Sequence, residues 1–230
     1  MISRRFKQKV KIEWSSDFAY AIGLITSDGW LHKDQRHIGF SSKEIELINK
    51  FKRALLISNK TIAHVRGGET DKKYLFVQFG DKIFYQFLNS IGLTVAKSKT
   101  IKQIDIPDRY FPDFLRGLFD GDGTFYTFWD KRWPKSFGFK TSFASASPDF
   151  IKWLRTELKR LYGLTGSVHK GVGVSNLEYT KGDSRKIFNV MYHRKDLLFL
   201  SRKYFKIKIA LEQDKLIGYA YLQKPRIAPE

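Results

Sequence analysis

Two short stretches of the chain repeat each other, and this repeat constrains the possible folds more than any other feature. The first copy contains Gly23 and Asp28, and the second contains Gly117 and Asp122. Aligning the two glycines gives an offset of 117 − 23 = 94, and the same offset aligns the two aspartates. A repeat of this kind predicts two similar halves within one chain.

Each copy has the pattern of a short apolar helix that ends in an acid and a glycine, a common stop signal for helices. Small residues recur at every fourth position, which places them on one helical face and allows two backbones to approach more closely than the usual ~8–10 Å. These small residues are Ala19, Gly23 and Ser27 in the first copy and Gly117 and Gly121 in the second. We therefore expect the two helices to pack together and to bring Asp28 and Asp122 close to each other.

Two carboxylates at helix C-termini would repel each other and would also interact unfavourably with the helix dipoles. A hard divalent cation such as Mg²⁺ would compensate, because it binds through one or two carboxylates together with phosphate oxygens. The alternative is that each glycine only ends its helix and each aspartate only caps its own loop. The occurrence of both acids at matched positions favours the metal site.

The pair of motifs resembles the LAGLIDADG homing endonucleases, in the single-chain form that carries two motifs. The second copy, LFDGDG from Leu118, is close to the family pattern, whereas Thr26 replaces the usual first acid in the first copy. The resemblance extends from about Ser16 to about Ala210. It implies an α/β (α+β) fold of two pseudo-symmetric αββαββα halves, with the motif helices packed at the centre and saddle-shaped antiparallel sheets facing DNA.

The same resemblance implies the composition of the active site. Asp28 and Asp122 would be catalytic and would bind metal, with Ser27 and Gly121 beside them in the metal site. The expected cofactor is Mg²⁺. Mn²⁺ is expected to substitute for it, and Ca²⁺ is expected to support binding without efficient cleavage.

Family members also place a basic residue near each active site, after the third helix of each half. Matching Ile83 with Ile187 gives a later offset of 187 − 83 = 104, which aligns Lys99 with Lys203. Lys97 falls on a serine in this alignment. We therefore predict that Lys99 and Lys203 are the catalytic lysines.

The charge of the chain points to a nucleic-acid partner. Lysine and arginine number 42 against 23 aspartates and glutamates, which gives a net charge of +19. An acidic lipid surface would instead favour one basic amphipathic helix, whereas here the basic residues are spread along the chain and interleaved with aromatic ones. With the family resemblance, the expected partner is double-stranded DNA with a long, largely asymmetric target site, bound by a monomer.

Other classes of protein are disfavoured. The chain has no cysteine, which excludes disulfides and cysteine-ligated zinc, and no apolar run approaches the ~18 residues of a membrane span. An EF-hand starting at Asp120 would need Glu where Lys131 stands. Intein splicing residues are absent at both ends, so a free-standing enzyme is expected. The expected location is intracellular, in the cytoplasm or nucleoid of a prokaryote or in an organelle matrix.

The expected organisation has five parts: a basic arm (1–15), a first half (16–96), a linker (97–109), a second half (110–215) and a C-terminal tail (216–230). The second half is longer by about ten residues, which we place in the first hairpin turn at 130–135. Polar residues at alternate strand positions would face the major groove, since a β-ribbon fits that groove, although any one of them could simply be solvent-exposed. The candidate DNA contacts are Arg36, His64, Arg66, Gln78, Lys140, Ser142, Lys170 and Glu178.

The sequence therefore predicts a site-specific, metal-dependent double-strand DNA endonuclease of the intron-homing type. Two alternatives share the fold: an RNA maturase that assists intron splicing, and a DNA-binding regulator that has lost cleavage. Retention of both motif acids disfavours the regulator more than the maturase.

Overall fold

The structure of the protein is a computed structural model that describes residues 8–65, 73–133 and 136–222. The chain forms two halves with the same order of elements. The first contains α1 (Ser16–Asp28), β1 (Gly29–Leu31), β2 (His37–Ser42), α2 (Ile45–Ala54), β3 (Thr61–Val65), β4 (Lys73–Gly80) and α3 (Lys82–Ser90). The second contains α4 (Phe111–Asp122), β5 (Thr124–Trp129), β6 (Phe137–Ser145), α5 (Pro148–Tyr162), β7 (Ser167–Lys170), β8 (Ser175–Tyr179), α6 (Lys181–Met191) and α7 (Ser201–Leu222).

Each half contains a four-stranded antiparallel sheet. The strand order is β1-β2-β4-β3 in the first half and β5-β6-β8-β7 in the second, so the two sheets have the same topology. Helices cover one face of each sheet and bury the apolar side chains of alternate strand positions. The predicted α+β fold of two αββαββα halves is therefore confirmed. None of the described helices is long and apolar enough to cross a membrane.

The two motif helices, α1 and α4, pack directly against each other through their glycines. A Cβ atom at Gly117 would clash with the carbonyl oxygen of Tyr20 and would lie 3.1 Å from the Cα of Gly23. A Cβ atom at Gly23 would lie 2.7 Å from the backbone nitrogen of Leu118. This contact confirms the smooth helix face predicted from the four-residue spacing, because any side chain at either glycine would push the backbones apart.

The first hairpin of the second half is the longer one, as predicted. In the first half Trp30 pairs with Gly39, and the equivalent of Trp30, Thr124, pairs with Ser142. The offset therefore rises from 94 to 142 − 39 = 103 across this hairpin, a gain of nine residues.

Three segments that were predicted as an arm, a linker and a tail contain ordered local structure. Part of the predicted basic arm is anchored, because the backbone N–H groups of Lys9 and Val10 donate to the Asp81 carboxylate, which also caps α3. The predicted linker begins with a 3₁₀ turn, Lys97–Lys99, that docks on the end of α1. The predicted tail from residue 216 continues α7 as far as Leu222.

Candidate active site

Asp28 and Asp122 are the last residues of α1 and α4, so the packing of these helices brings both acids to the same end of the helix pair. A Cβ atom at Gly121 would lie 3.0 Å from Oδ2 of Asp28, which places this carboxylate against the opposite motif helix. Burial and the nearby charge of Asp122 raise the pKa of Asp28 to about 6. Burial also raises the pKa of Asp122.

Two buried lysines, one from each half, contact the C-terminal ends of the motif helices that carry the acids. Lys97 Nζ donates to the carbonyl oxygens of Thr26 (2.7 Å) and Ser27 (3.3 Å). Lys203 is the corresponding residue of the second half, and only 9% of its surface is exposed. Both lysines therefore satisfy carbonyl groups that the end of a motif helix leaves without intrahelical partners.

Lys203 makes the larger number of these contacts. Its Nζ donates to the carbonyl oxygens of Phe119 (2.6 Å), Gly121 (3.0 Å) and Gly123 (2.7 Å). Under the motif offset of 94, Gly121 is equivalent to Ser27, the carbonyl that Lys97 contacts. The two lysines are therefore pseudo-symmetric partners.

The predicted pairing of Lys99 with Lys203 is wrong, because Lys99 is exposed on the 3₁₀ turn and Lys97 is the residue that contacts the motif helix. The true offset is 203 − 97 = 106 rather than 104. The segment from α6 to Lys203 is longer than its counterpart after α3, so a register measured inside these helices does not continue past them.

The four charged groups influence each other across the pseudo-symmetry axis. Burial is the largest influence on both lysines and lowers the pKa of each to about 8. The carboxylates of Asp28 and Asp122 oppose this change, and both lysines in turn lower the pKa values of both acids. The cluster therefore behaves as one electrostatic unit of two carboxylates and two ammonium groups.

Buried polar side chains of α4 hold the segment that leads to Lys203. Arg116 is fully buried, and its Nε and Nη1 donate to the carbonyls of Leu198 and Met191, both at 2.8 Å. Asp120 Oδ2 accepts from the backbone N–H of Leu200 at 2.6 Å. These contacts fix the chain immediately before α7 and thereby place Lys203.

Asp120 also connects the two motif helices, because its Oδ2 accepts from the Tyr20 hydroxyl at 2.8 Å. Burial raises its pKa to about 6. At the equivalent position of the first half, the Thr26 hydroxyl instead donates to the Ile22 carbonyl within its own helix. The motif pattern alone gives Asp120 and Arg116 no role. The signal in the sequence that could have identified them is an acid and an arginine inside an otherwise apolar helix.

The donor set suits a hard cation that takes most of its ligands from outside the protein. Asp28 and Asp122 are the carboxylates available, and no group of three or more metal-ligating side chains occurs in the part of the chain that the structure describes. Mg²⁺ binds through one or two carboxylates, water and substrate phosphates, so the residues present fit this ion. The Ser27 and Gly121 carbonyls lie beside the acids and already accept hydrogen bonds from the lysines.

A cleft of about 210 Å³ opens beside the first of these lysines. It is bordered by Thr26, Ser27, Lys97 and Asp122 from the cluster, and by residues of β6 on its other side. One acid of the cluster, Asp122, and one lysine, Lys97, therefore border a cleft that β6 also borders.

The outer face of the second sheet is polar where the strand pattern predicted it. Phe137, Phe139 and Phe143 are buried on one face of β6, and Lys140 and Ser142 lie on the other. Lys140 forms an ion pair with Glu178 at 2.6 Å, and Tyr126 also donates to Glu178. Two of the predicted DNA contacts are therefore already bonded to each other on this face.

The remaining predicted contacts are distributed over both halves. Arg36 is exposed in the β1–β2 turn, Gln78 on β4 and Lys170 on β7, and Ser142 pairs with both Thr124 and Glu178 across the sheet. His64 lies in β3, but its side chain and the whole of Arg66 fall outside the described residues.

Comparison with protein families gives a match in the first half of the chain. A family model described as a LAGLIDADG-like domain matches residues 15–92. The replication factor C small subunit of Methanocaldococcus jannaschii is 35% identical over 123 residues, which cover 46% of this chain and 7% of that protein. A DNA polymerase of Thermococcus sp. strain GE8 is 26% identical over 124 residues, which cover 51% and 7%. The chain thus spans less than a tenth of the length of these curated relatives.

Solved structures share the fold over both halves. The LAGLIDADG meganuclease I-AabMI, bound to uncleaved DNA, superposes with a TM-score of 0.62 at 14% identity, covering 88% of this chain and 92% of that one. The homing endonuclease I-LtrWI, bound to target DNA, gives 0.59 at 11% identity, with coverages of 87% and 91%. The N-terminal LAGLIDADG domain of WhiA gives 0.52 at 16% identity, with coverages of 86% and 93%.

Proposed function

We propose, from the premise that this chain is a single-chain LAGLIDADG protein with two motif helices, that it is a site-specific double-strand DNA endonuclease. It hydrolyses phosphodiester bonds with a divalent metal and leaves a short staggered cut. The observation that carries the proposal is the cluster of Asp28, Asp122, Lys97 and Lys203 at the end of the motif helix pair. A role in folding alone would not require two desolvated acids that repel each other.

Asp28 and Asp122 would hold the metal, one acid from each half. When bound, Mg²⁺ activates the phosphate and lowers the pKa of its bound water. The raised pKa of Asp28 reflects the repulsion and desolvation that a cation would relieve. The pseudo-symmetric arrangement supplies one acid and one lysine for each DNA strand, which suits a cut in both strands.

Lys97 and Lys203 would stabilise negative charge that grows on the phosphate in the transition state. Both have a pKa near 8, so both are mainly protonated at neutral pH. Their ammonium groups are held rigidly by helix carbonyls, so little reorganisation would be needed when charge develops.

The outer faces of the two sheets would lie along the major groove of duplex DNA. The groove is wide enough for a β-ribbon and presents a distinct donor and acceptor pattern for each base pair. The net charge of +19 favours a polyanionic partner, and the I-AabMI and I-LtrWI structures are of proteins bound to DNA. An RNA maturase and a non-cleaving regulator would use the same fold, so the fold alone does not separate the three functions.

A cleavage screen tests the proposal without knowledge of the natural target. A plasmid library with randomised inserts is incubated with the protein and Mg²⁺, and new DNA ends are captured by ligation and sequenced. We expect one recurrent site with short staggered ends. Asp122→Asn should still retain duplexes of that sequence in a binding assay and should yield no ends, whereas Asp149→Asn, at an exposed position on α5, should cut normally.

Two outcomes would contradict the proposal. Normal cutting by Asp122→Asn would show that this acid does not hold the catalytic metal. Preferential binding of structured RNA over every duplex, with no new DNA ends, would favour the maturase.

A further inference from the structure

The first hairpin of the second half is longer than its counterpart, and each hairpin begins directly after one acid of the cluster of Asp28, Asp122, Lys97 and Lys203. β1 follows Asp28 immediately and its last residue is Leu31, which is 31 − 28 = 3 positions after the acid. β5 follows Asp122 in the same way, but its last residue is Trp129, which is 129 − 122 = 7 positions after the acid. Because both strands start next to an acid, the longer strand places its hairpin turn further from the acids.

The difference of four residues corresponds to a length comparable with several base pairs. A strand rises about 3.3 Å per residue, so the second hairpin reaches roughly 13 Å further than the first. Successive base pairs of duplex DNA are about 3.4 Å apart. The additional reach therefore corresponds to three or four base pairs if the strand follows the groove.

The additional residues of the longer hairpin present the same kind of side chain on the same sheet face as the residues closer to the acids. Tyr126 and Phe128 lie on the same side of β5, with their rings 6.2 Å apart, and Lys140 pairs with Tyr126 on that side. The ring of Phe128 occupies the space above Gly138, where a Cβ atom would clash with it. The polar and aromatic surface of the second sheet is therefore continuous from the middle of the sheet to the hairpin end.

The end of the hairpin is both aromatic and basic. Trp133 is 70% exposed, and Lys131 and Arg132 are exposed beside it. Asp130 pairs with Arg132 at 3.2 Å and caps the turn, because it also accepts from the Arg132 backbone N–H at 2.8 Å. An apolar ring flanked by cations matches a surface of base edges between phosphates better than it matches bulk water.

We propose that the β5–β6 hairpin makes the recognition surface one-sided, so that the second half contacts duplex DNA three or four base pairs further from the site centre than the first half does. The inference rests on the proposed function, since it assumes that the two sheets lie along one duplex. It adds a direction and a length to the asymmetry of the target: the longer half-site is the one bound by residues 110–215.

The absence of cysteine from the chain makes a direct test possible. Lys131→Cys and Lys33→Cys each introduce a single thiol at an exposed position in the turn of one hairpin, and Ser98→Cys introduces one beside the acidic cluster. Each full-length variant is labelled with a thiol-reactive iron–EDTA chelate. It is then bound in Ca²⁺ to a duplex selected from a random library by the unlabelled protein, and radical cleavage of the DNA maps the position of each label.

The expected result is localised cleavage on opposite sides of the position marked by the Ser98 label. The Lys131 label should cut three or four base pairs further from that position than the Lys33 label. Duplexes shortened stepwise from the Lys131 end should begin to lose affinity while more base pairs remain on that side than when they are shortened from the other end.

Equal distances for the two hairpin labels would overturn the inference and leave the proposed endonuclease function standing. The same holds for localised cutting by the Lys33 and Ser98 labels without any from Lys131, which would assign the exposed tryptophan to another role. If the protein selects no duplex at all, the proposed function fails and the inference fails with it.

Discussion

Lys97 and Lys203 are structural counterparts, although neither of the offsets read from the sequence, 94 or 104, pairs them. Lys97 donates to the carbonyl oxygen of Ser27 and Lys203 to that of Gly121, and these two acceptors are equivalent positions of the repeat. Lys97 belongs to a 3₁₀ turn, whereas Lys203 belongs to the first turn of a long helix. Two different local structures therefore place an ammonium group at equivalent positions of the two halves.

The first prediction concerns these lysines. Lys97→Met and Lys203→Met should each lower the single-turnover rate of DNA cleavage by roughly 10²-fold, about 2.7 kcal/mol of activation free energy, because each removes a fixed positive charge from the reacting phosphate. Duplex affinity should change little. Lys99→Met is the matched control, since Lys99 is exposed two positions away, and its rate should remain within a few-fold of wild type. A larger loss in Lys99→Met than in Lys97→Met would contradict the assignment.

The second prediction concerns the contact between the motif helices. Gly117→Ala should lower the free energy of unfolding by about 1–3 kcal/mol, because the new methyl group would overlap the Tyr20 carbonyl and force the helices apart. Gly182→Ala is the control. It lies in α6, where an added Cβ meets nothing within 4 Å, and alanine should be neutral or stabilising by up to about 1 kcal/mol. Urea unfolding measures both, and equal stabilities would rule out the close approach.

The third prediction concerns the buried ion pair of α4. Arg116 contacts Asp113 at 2.8 Å, and both are almost completely inaccessible to solvent. Arg116→Met should destabilise the protein by about 3–5 kcal/mol, because the buried Asp113 carboxylate loses its guanidinium partner and, among the described residues, keeps only Ser16 and His193 as polar contacts. Replacing Arg202, whose ion pair with Glu44 is largely exposed, should cost no more than about 1 kcal/mol.

A double variant separates charge from packing at this site. Adding Asp113→Asn to Arg116→Met removes the carboxylate charge that Arg116 had balanced and leaves an amide oxygen for Ser16 and His193, so it should recover part of the lost stability. A double variant that is less stable than Arg116→Met alone would show that the loss came from packing or from the Leu198 and Met191 contacts instead.

The fourth prediction is a pH dependence of stability. The pKa of Asp28 is about 6 in the folded protein and 3.8 in its unperturbed state, so the folded state binds this proton more tightly. The cost to stability therefore appears as pH rises from about 4 to about 6 and is complete above that range. Asp28→Asn should have a higher melting temperature than wild type near neutral pH, and the difference should shrink as pH falls towards 4.

Metal provides an independent readout of the same site. A ligand that binds only the folded state stabilises it, so Mg²⁺ should raise the melting temperature of wild type at neutral pH. The increase should be smaller in Asp28→Asn. Equal shifts in both proteins would exclude Asp28 as a principal metal ligand.

The fifth prediction concerns the net charge. Duplex affinity should fall linearly with salt on a double-logarithmic plot, with a slope of about −0.9 per phosphate neutralised. Lys131→Ala should make that slope shallower by at most about one unit, since one lysine contacts at most one phosphate strongly. A flat salt response of the wild-type protein would contradict a role for its +19 charge in binding.

The sequence by itself was sufficient for the features that depend on local spacing. Four-residue spacing of small residues predicted the contact between the two motif helices at Gly23 and Gly117, and strand alternation predicted that Lys140 and Ser142 share the polar face of β6. Ser147 caps α5 and Pro148 is its first residue, a helix start that the order of these two residues favours. These features are set within a few residues by helix or strand periodicity and by capping, so no knowledge of distant contacts is needed.

Only the tertiary structure decided which side chains reach the site from distant segments. Lys97 and Lys99 are equally basic in the sequence, and their burial differs because the 3₁₀ turn directs one towards α1 and the other into solvent. The place of Lys203 depends on Arg116 and Asp120, which hold a connecting segment about eighty residues away along the chain. Such long-range anchoring depends on the three-dimensional packing of α4, and no periodicity in the sequence encodes the length of the connection.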